Sequence, residues 1–447
     1  MKNRDKKPFS VGTVVMTAVS CLVILGFIYV LPKLSAGNEI KLTQLDFSEL
    51  LSIENKGPET DLNGTGGLPE NRTDTDTAAE KEGNSNEKPS APTPSPTPAV
   101  RGGNVTMTFG GTVAIETKVR QAAYLSDSKQ YDFSDLLRLI SPYTDSDINC
   151  VFAENLLLDD QKVNTLIVPS CAADAFRSAG IDTVCLGFPK VYDKGADGLD
   201  ATVTALSEYG LNIRGAYDRE PTDPAGELIS VGNVKVAILQ YTSMLSETGK
   251  KLVKKTGETW AVPEADPDRI AEDIAAARKH GADIVAVCLN WGEAGNKTPG
   301  KKQKTLAQSV AESGADLIIG AGSRVVQNIE YLTVKRDDGT ERPVLCAWSL
   351  GSLICEHDNA NRTAGILLKL EMNCDADGNV TVKTAGYIPT YVWQYKQDGM
   401  LYYKTVAADR NYPDGLSASD TKAMDKAAVI IGTALTGSPV GLIPGDH

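Results

Sequence analysis

The apolar residues of this chain fall into three regimes. Val11 to Leu31 runs without a charge, with Lys2, Arg4, Lys6 and Lys7 before it and Pro32-Lys33 after it. At 1.5 Å per residue such a run spans roughly 30 Å, the depth of a bilayer's hydrocarbon core. A cleaved signal peptide is the rival reading, but its apolar core is usually about 7 to 15 residues long. The pattern therefore predicts one uncleaved transmembrane helix over 11–31, after a cytoplasmic tail over 1–10. The basic residues hold that tail inside and put everything after Lys33 outside the cell.

The second regime, 32–103, is poor in apolar residues. Leu42, Leu45, Phe47, Leu50 and Leu51 predict a short juxtamembrane helix, and beyond Glu54 the chain is rich in Asn, Thr, Glu, Gly and Pro. So little apolar surface cannot offset the entropy of ordering, and the alternating prolines of 88–99 favour an extended polyproline II stalk.

The third regime, from Asn104, has the periodicities of a folded head. Val105 to Phe109 alternates as a first strand, left by a Gly110-Gly111-Thr112 turn, and Ile148 to Ala153 is a second strand ending at Glu154-Asn155. Helices are expected over 171–179, 197–209, 263–280, 302–313 and 417–435, where apolar residues recur at helical spacing. Strands are expected at 183–186, 284–289, 317–319, 327–334 and 344–347. Two hairpins are expected, one turning at Gly232-Asn233 and one spanning 366–387 around Asp375 to Asn379. Strands and helices that alternate early and give way to strands indicate an α/β (α+β) head of mixed sheets with helices outside them. The head is expected over 104–400, with an extension carrying the terminal helix over 401–447.

Charge and rare residues narrow the functions. A net charge of −13 disfavours a nucleic-acid surface. The eight cysteines show no C-x-x-C spacing, which argues against a structural zinc site, and Cys185 and Cys288 read as small buried hydrophobes within strands. There are three histidines, His280, His357 and His447.

Several segments of the head occur in a familiar order. They are Ala179-Gly-Ile-Asp-Thr-Val184, Asp193-Lys-Gly195 with Gly198-Leu199, Val234 to Leu239, Trp291-Gly-Glu293, and Gln303 ahead of Leu306-Ala307. Gly314-Ala-Asp-Leu317, Val325-Val-Gln327 with Glu330, and Ser349-Leu-Gly351 complete the series. In this order and spacing the chain resembles the CapA-type proteins of poly-γ-glutamate capsule synthesis, a branch of the metallophosphoesterase-like fold, from about Val105 to Leu353. The resemblance implies a sandwich of two mixed β-sheets flanked by helices, an extracellular location, and a loop-built site that in typical members can hold divalent metal.

At that site the sequence departs from the family. Gly-Asp after the first strand is Gly110-Gly111, Asn-Leu-Glu is Asn155-Leu156-Leu157, and Asn-Asn-His is Phe188-Pro189-Lys190 with Asp193 kept. His-Trp-Gly is Asn290-Trp291-Gly292, and Gly-His-His-Pro-His is Gly320-Ala321-Gly322-Ser323-Arg324. A two-metal hydrolase needs several carboxylate and imidazole ligands to bridge its ions and generate hydroxide. No cofactor is therefore expected, beyond a hard divalent cation held by oxygens of Asn155, Asp193, Asn290 and Glu293 as a remote alternative. The cationic replacements, Lys190 and Arg324, suggest a pocket that binds an anion without hydrolysing it. The competing reading makes both of them solvated loop charges.

Trp291 is expected beneath its loop, with stacking on a ligand as the alternative. Asp193 and Glu293 are the weak candidates for a metal-free acid/base pair. The runs Lys250, Lys251, Lys254, Lys255 and Lys297, Lys301, Lys302, Lys304 are either solvated faces or contacts for an acidic polymer.

These readings combine into a membrane-anchored extracellular pseudoenzyme that binds an anionic envelope or capsule polymer such as poly-γ-glutamate. Its expected partners are the membrane, that polymer and other capsule-synthesis membrane proteins, with no nucleic acid. The alternatives are an active hydrolase or transferase on γ-glutamyl or phosphoester bonds, and a receptor for a small ligand.

Overall fold

The computed structural model describes residues 102–221, 227–336, 338–397, 399–409 and 415–444. The predicted tail, transmembrane helix and stalk, up to residue 101, lie outside the described residues. Among the described residues no helix is long and apolar enough to cross a membrane.

The head is built on two mixed sheets. The larger uses β1 (Gly103–Val113), β2 (Ile148–Ala153), β3 (Thr183–Cys185) and β4 (Asn212–Arg214). The smaller uses β5 (Ile229–Val231), β6 (Val234–Thr242), β7 (Ile284–Asn290), β8 (Leu317–Ala321), β9 (Ile329–Lys335) and β10 (Glu341–Ala347). The chain then returns to the larger sheet as β11 (Ser352–Ile354), β12 (Ala364–Cys374), β13 (Val380–Gln397) and β14 (Met400–Ala407).

Strand order in the larger sheet is β14-β13-β12-β1-β2-β3-β4 with β11 beside the end of β1, and in the smaller β9-β10-β8-β7-β6-β5. β1 to β4 run parallel to one another, as do β6, β7, β8 and β10. The strands at the centre of each sheet are buried on both faces, which is why β7 reads as an unbroken apolar run rather than an alternation.

Three cores stack the layers. Met107, Phe109, Cys150 and Phe152 of the larger sheet meet Ile238, Ala286, Cys288 and Ile319 of the smaller one. Beyond the smaller sheet, α3 (Pro267–Lys279) and α4 (Lys301–Glu312) bury Ile270, Ile274, Ala307 and Val310 against Val285, Val287 and Ile318. Beyond the larger, α1 (Gly195–Glu208) buries Leu199 and Leu206 among Val151, Val184 and Phe176. The expected pair of mixed sheets with helices outside is thus present.

Local differences have physical reasons. The first strand does not turn at Gly110-Gly111 but runs on to Val113. A Cβ on Gly110 would lie 3.0 Å from Val151 Cγ1, and one on Gly111 would lie 2.8 Å from the Gly351 carbonyl carbon. Gly110 thus leaves room for packed side chains and Gly111 admits a neighbouring backbone, rather than forming a turn. The helix expected from 263 starts at Pro267, because the Asp266 side chain accepts from the Asp268 and Arg269 amides and Pro267 suits the first turn. The helix expected over 171–179 is a 3-10 turn, Ser170–Ala173, followed by Asp174–Ser178.

Helices were also found where none was expected, among them Thr117–Ala122 and one that carries lysines. The first lysine run lies on α2 (Glu247–Thr256), capped by Ser246, whose hydroxyl accepts from the Gly249 amide, and closed by Gly257 at φ 80°. The terminal helix α5 (Ala418–Ala434) has the expected extent, with a Ser417/Asp420 capping box.

Candidate functional site

The parallel strands β1, β2, β7 and β8 end on the same side of the sandwich, and the residues just past their ends meet there. Open sheets of this kind place ligands beyond the carboxyl ends of their strands. From the larger sheet come Glu116, three residues past β1, and Glu154, one past β2. From the smaller come Asn290, the last residue of β7, and Arg324, in the loop after β8.

Arg324 is the centre of the cluster. Its Nη1 donates to Glu116 Oε1 at 3.0 Å and its Nε to Glu154 Oε2 at 3.1 Å, while Nη2 also pairs with Glu154 Oε2. Only 19% of the Arg324 side chain and 9% of Glu154 are exposed, so the ions are held largely out of water. Burial by itself would lower the guanidinium pKa, but the Glu154 and Glu116 carboxylates outweigh it and raise the value. Asn290 Nδ2 points at Glu154 Oε1 from 3.5 Å, and the other oxygen of Glu116 accepts from the Glu356 amide at 3.0 Å.

The loop that presents Arg324 is shaped by close approach. Arg324 has φ 56° and Gly322 φ 103°, both in the left-handed region. A Cβ on Gly322 would lie 2.6 Å from the Trp291 carbonyl oxygen and 2.9 Å from Asn290 Oδ1. Ser323 is fully buried with its hydroxyl donating to the Val325 carbonyl at 3.0 Å, and Ser352 Oγ donates to the Arg324 carbonyl at 3.3 Å. Trp291 lies under the loop, stacked on Trp348 with centroids 5.4 Å apart, and its Nε1 donates to the Trp348 carbonyl at 3.0 Å.

The other residues singled out in the sequence divide into two groups. Asn155 joins the cluster from below: its Oδ1 accepts from the Ile115 amide at 2.8 Å and its Nδ2 donates to the Ile115 carbonyl at 3.1 Å, fixing the backbone that leads to Glu116. Lys190 and Asp193 sit on a different loop, bound to the start of α2. The Ser246 amide donates to the Pro189 carbonyl at 2.7 Å and the Ser246 hydroxyl donates to Asp193 Oδ1. Lys190 is exposed. Glu293 is exposed on the rim, accepting from Asn296 Nδ2 at 3.3 Å.

Asp193 and Glu293 are thus not the only acids near the strand ends, as the sequence had suggested. Glu116 and Glu154 were passed over because neither falls in a family motif, and only the strand ends bring them together. The signal available was Glu154 at the very end of a buried strand.

The donor set does not fit a divalent ion. Both carboxylates accept from a guanidinium that a metal would have to displace. Asn155 spends its amide on Ile115. Neither described histidine joins the cluster, since His280 caps α3 and His357 Nε2 pairs with Arg362 Nη1 at 2.8 Å. One guanidinium between two carboxylates leaves the cluster with an excess of negative charge, so it repels a free anion at close range.

The family model described as bacterial capsule synthesis protein PGA_cap matches residues 106–357, more than half of the chain. The chain belongs to this family. The match runs from β1 to just beyond β11 and so contains every residue of the cluster.

Among relatives of the PGA_cap chain, the capsule biosynthesis protein CapA of Bacillus anthracis is 27% identical over 238 residues, 51% of this chain and 56% of that protein. The PGA biosynthesis protein CapA of Bacillus subtilis (strain 168) is 32% identical over 139 residues, 31% of this chain and 35% of that protein. The chain thus spans about half the length, or less, of the curated relatives it matches. Among solved structures, the calcineurin-like phosphoesterase YfkN from Bacillus subtilis aligns with 74% of this chain and 99% of its own at 12% identity and a TM-score of 0.36.

Proposed function

We propose that this PGA_cap protein serves capsule or cell-envelope polymer synthesis as a non-catalytic component that holds an anionic polymer such as poly-γ-glutamate, anchored to the outer face of the membrane by 11–31. The observation that carries the reading is the Glu116–Arg324–Glu154 cluster. At the strand ends, where the family resemblance implies a metal site, Arg324 is fixed between two carboxylates, and a guanidinium can neither generate hydroxide nor clamp a leaving oxygen as two metals do. The relatives' printed names supply the process.

The polymer does not dock on Arg324, whose charge is spent on two carboxylates. The exposed lysines of α2, Lys250, Lys251, Lys254 and Lys255, present a cationic face on an otherwise acidic chain, and the loop carrying exposed Lys190 is bonded to the start of that helix. A polyanion gains from such a face chiefly by releasing its counterions, so its binding weakens steeply with salt.

The test uses full-length protein. Salt-sensitive binding of poly-γ-glutamate, with no cleavage of it or of a generic phosphodiester in the presence or absence of manganese, is the expected result. Manganese-dependent turnover of either would sink the non-catalytic reading and favour the hydrolase or transferase.

A further inference from the structure

Beneath the ion cluster, in the core between the sheets, three cysteines converge from separate strands. Cys150 of β2 and Cys185 of β3 come from the larger sheet and Cys288 of β7 from the smaller. Their sulfurs all lie within 4.8 Å of one another, and Cys150 Sγ is 3.6 Å from Cys185 Sγ. All three are buried among Phe109, Phe152, Ile238 and Ile319. Cys288 precedes Asn290 by one pleat of β7, and Cys150 lies on the strand that delivers Glu154.

We propose that Cys150, Cys185 and Cys288 form a binding site for a soft, three-coordinate thiophilic centre, copper(I) or trivalent arsenic, that staples the two sheets directly below the ion cluster. Soft thiolates select such ions. Three sulfurs about 2.3 Å from a trigonal centre stand roughly 4.0 Å apart, within the spread of the observed triangle. Zinc fits poorly: it seeks a fourth ligand, and among the described residues no other cysteine, histidine or carboxylate joins the group.

Charge separates the two candidates. Copper(I) replaces three thiol protons, which pass to solvent, leaving a doubly negative complex. Arg214, paired with Cys185 across β3 and β4, carries a cation whose field reaches Cys185 and Cys288 and offsets part of that charge. Arsenous acid condenses with three thiols to a neutral trithioarsenite and three waters. Neither step changes an oxidation state. Burial holds the free Cys185 thiol well above its ordinary pKa, so the unloaded triad is protonated and either centre must displace those protons. The buried triad loads as the sheets close. This site is independent of the capsule reading.

The experiment refolds the reduced full-length protein with a copper(I)–acetonitrile complex or with arsenite, desalts it, and measures the retained element and the sulfur coordination by X-ray absorption. The expected result is one equivalent of at least one probe, bound by three sulfurs, and a raised thermal midpoint. Which probe is held distinguishes the two centres. Cys288→Ala and Cys150→Ser are expected to retain none. Cys346→Ala, which alters a buried cysteine outside the triad, is expected to retain a full equivalent. Absence of both probes from wild type, undiminished retention by Cys288→Ala, or a Cys150–Cys185 disulfide in alkylation-trapped native protein would each overturn the proposal. The wild-type coordination result stands even if a variant fails to fold.

Discussion

Arg324 Nη1 lies 3.0 Å from Glu116 Oε1, and this pair joins a loop of the smaller sheet to the end of the first strand of the larger one. With Glu154 on the other side of the guanidinium, the contact ties the two sheets together at the end where the strands deliver their polar residues. The cluster does for this head what bridging cations do in a metal site: it neutralises carboxylates that would otherwise repel across the gap.

Removing the guanidinium leaves two part-buried carboxylates unpaired. Arg324→Met is therefore expected to cost about 3 kcal/mol or more, since breaking a buried pair by deleting one partner is far worse than never having had it. Urea denaturation of the variant and wild type gives the difference directly, and an unchanged midpoint would show that water already screens the pair.

The same variant exposes two carboxylates with the Asn290 amide nearby, a set that suits a hard cation. Manganese is expected to raise the thermal midpoint of Arg324→Met and to leave that of wild type unmoved. A scan of both proteins with and without the ion decides it, and equal shifts would count against the displacement argument.

Gly111 is expected to tolerate no side chain. Its Cβ would lie 2.8 Å from the Gly351 carbonyl carbon and 2.9 Å from the Leu350 oxygen, which are backbone atoms and cannot swing aside. Gly111→Ala should lose roughly 1–3 kcal/mol through forced separation of β1 from the segment leading into β11. Chemical denaturation checks this, with Gly432→Ala as a control at an uncrowded position in α5.

Replacing Lys250, Lys251, Lys254 and Lys255 together by alanine is expected to weaken poly-γ-glutamate binding by about tenfold or more, roughly 1.4 kcal/mol. The slope of affinity against salt should flatten as well. Alanine keeps the helix, so circular dichroism should be unaltered. Binding that survives at full strength would make this run an ordinary solvated face.

Asp273 supplies a pH prediction. Burial raises its pKa above 3.8, against the lowering effects of the Tyr241 hydroxyl, which donates to it at 2.9 Å, and of Arg269 at 3.6 Å. Glu272 also raises it. A raised carboxyl pKa favours the folded state while the group is protonated, and that contribution is lost as pH rises from about 3.8 through the raised value. Asp273→Asn, which does not titrate, should therefore gain stability relative to wild type as pH climbs through that window. Thermal midpoints of both proteins from pH 4 to pH 7 would show a constant gap if the shift were absent.

Much of the scaffold was legible in the chain. The unbroken run of β7, the helical spacing of α4 and the Gly232-Asn233 turn all report local preferences, which adjacent residues express without help. The glycines of β1 misled, because Gly110 answers to the side chains of Val151, Leu353 and Leu367, and Gly111 to the Leu350–Gly351 backbone more than two hundred residues away. Helix α2 was masked by its charges, although Ser246 and Gly257 mark both its ends.

The site was half legible. The replacements Asn290 and Arg324 both reach Glu154, and the retained Asn155 fixes the Ile115 backbone beside them, whereas Lys190 and Asp193 belong to another loop and Glu293 stays exposed on the rim. The sequence by itself determined that imidazoles are absent from these loops and that one arginine stands among them, since composition at a motif needs no coordinates. Only the tertiary structure decided what that arginine faces. Pairing across two sheets depends on strand register and on where each strand stops, and neither is written in the residues nearest Arg324.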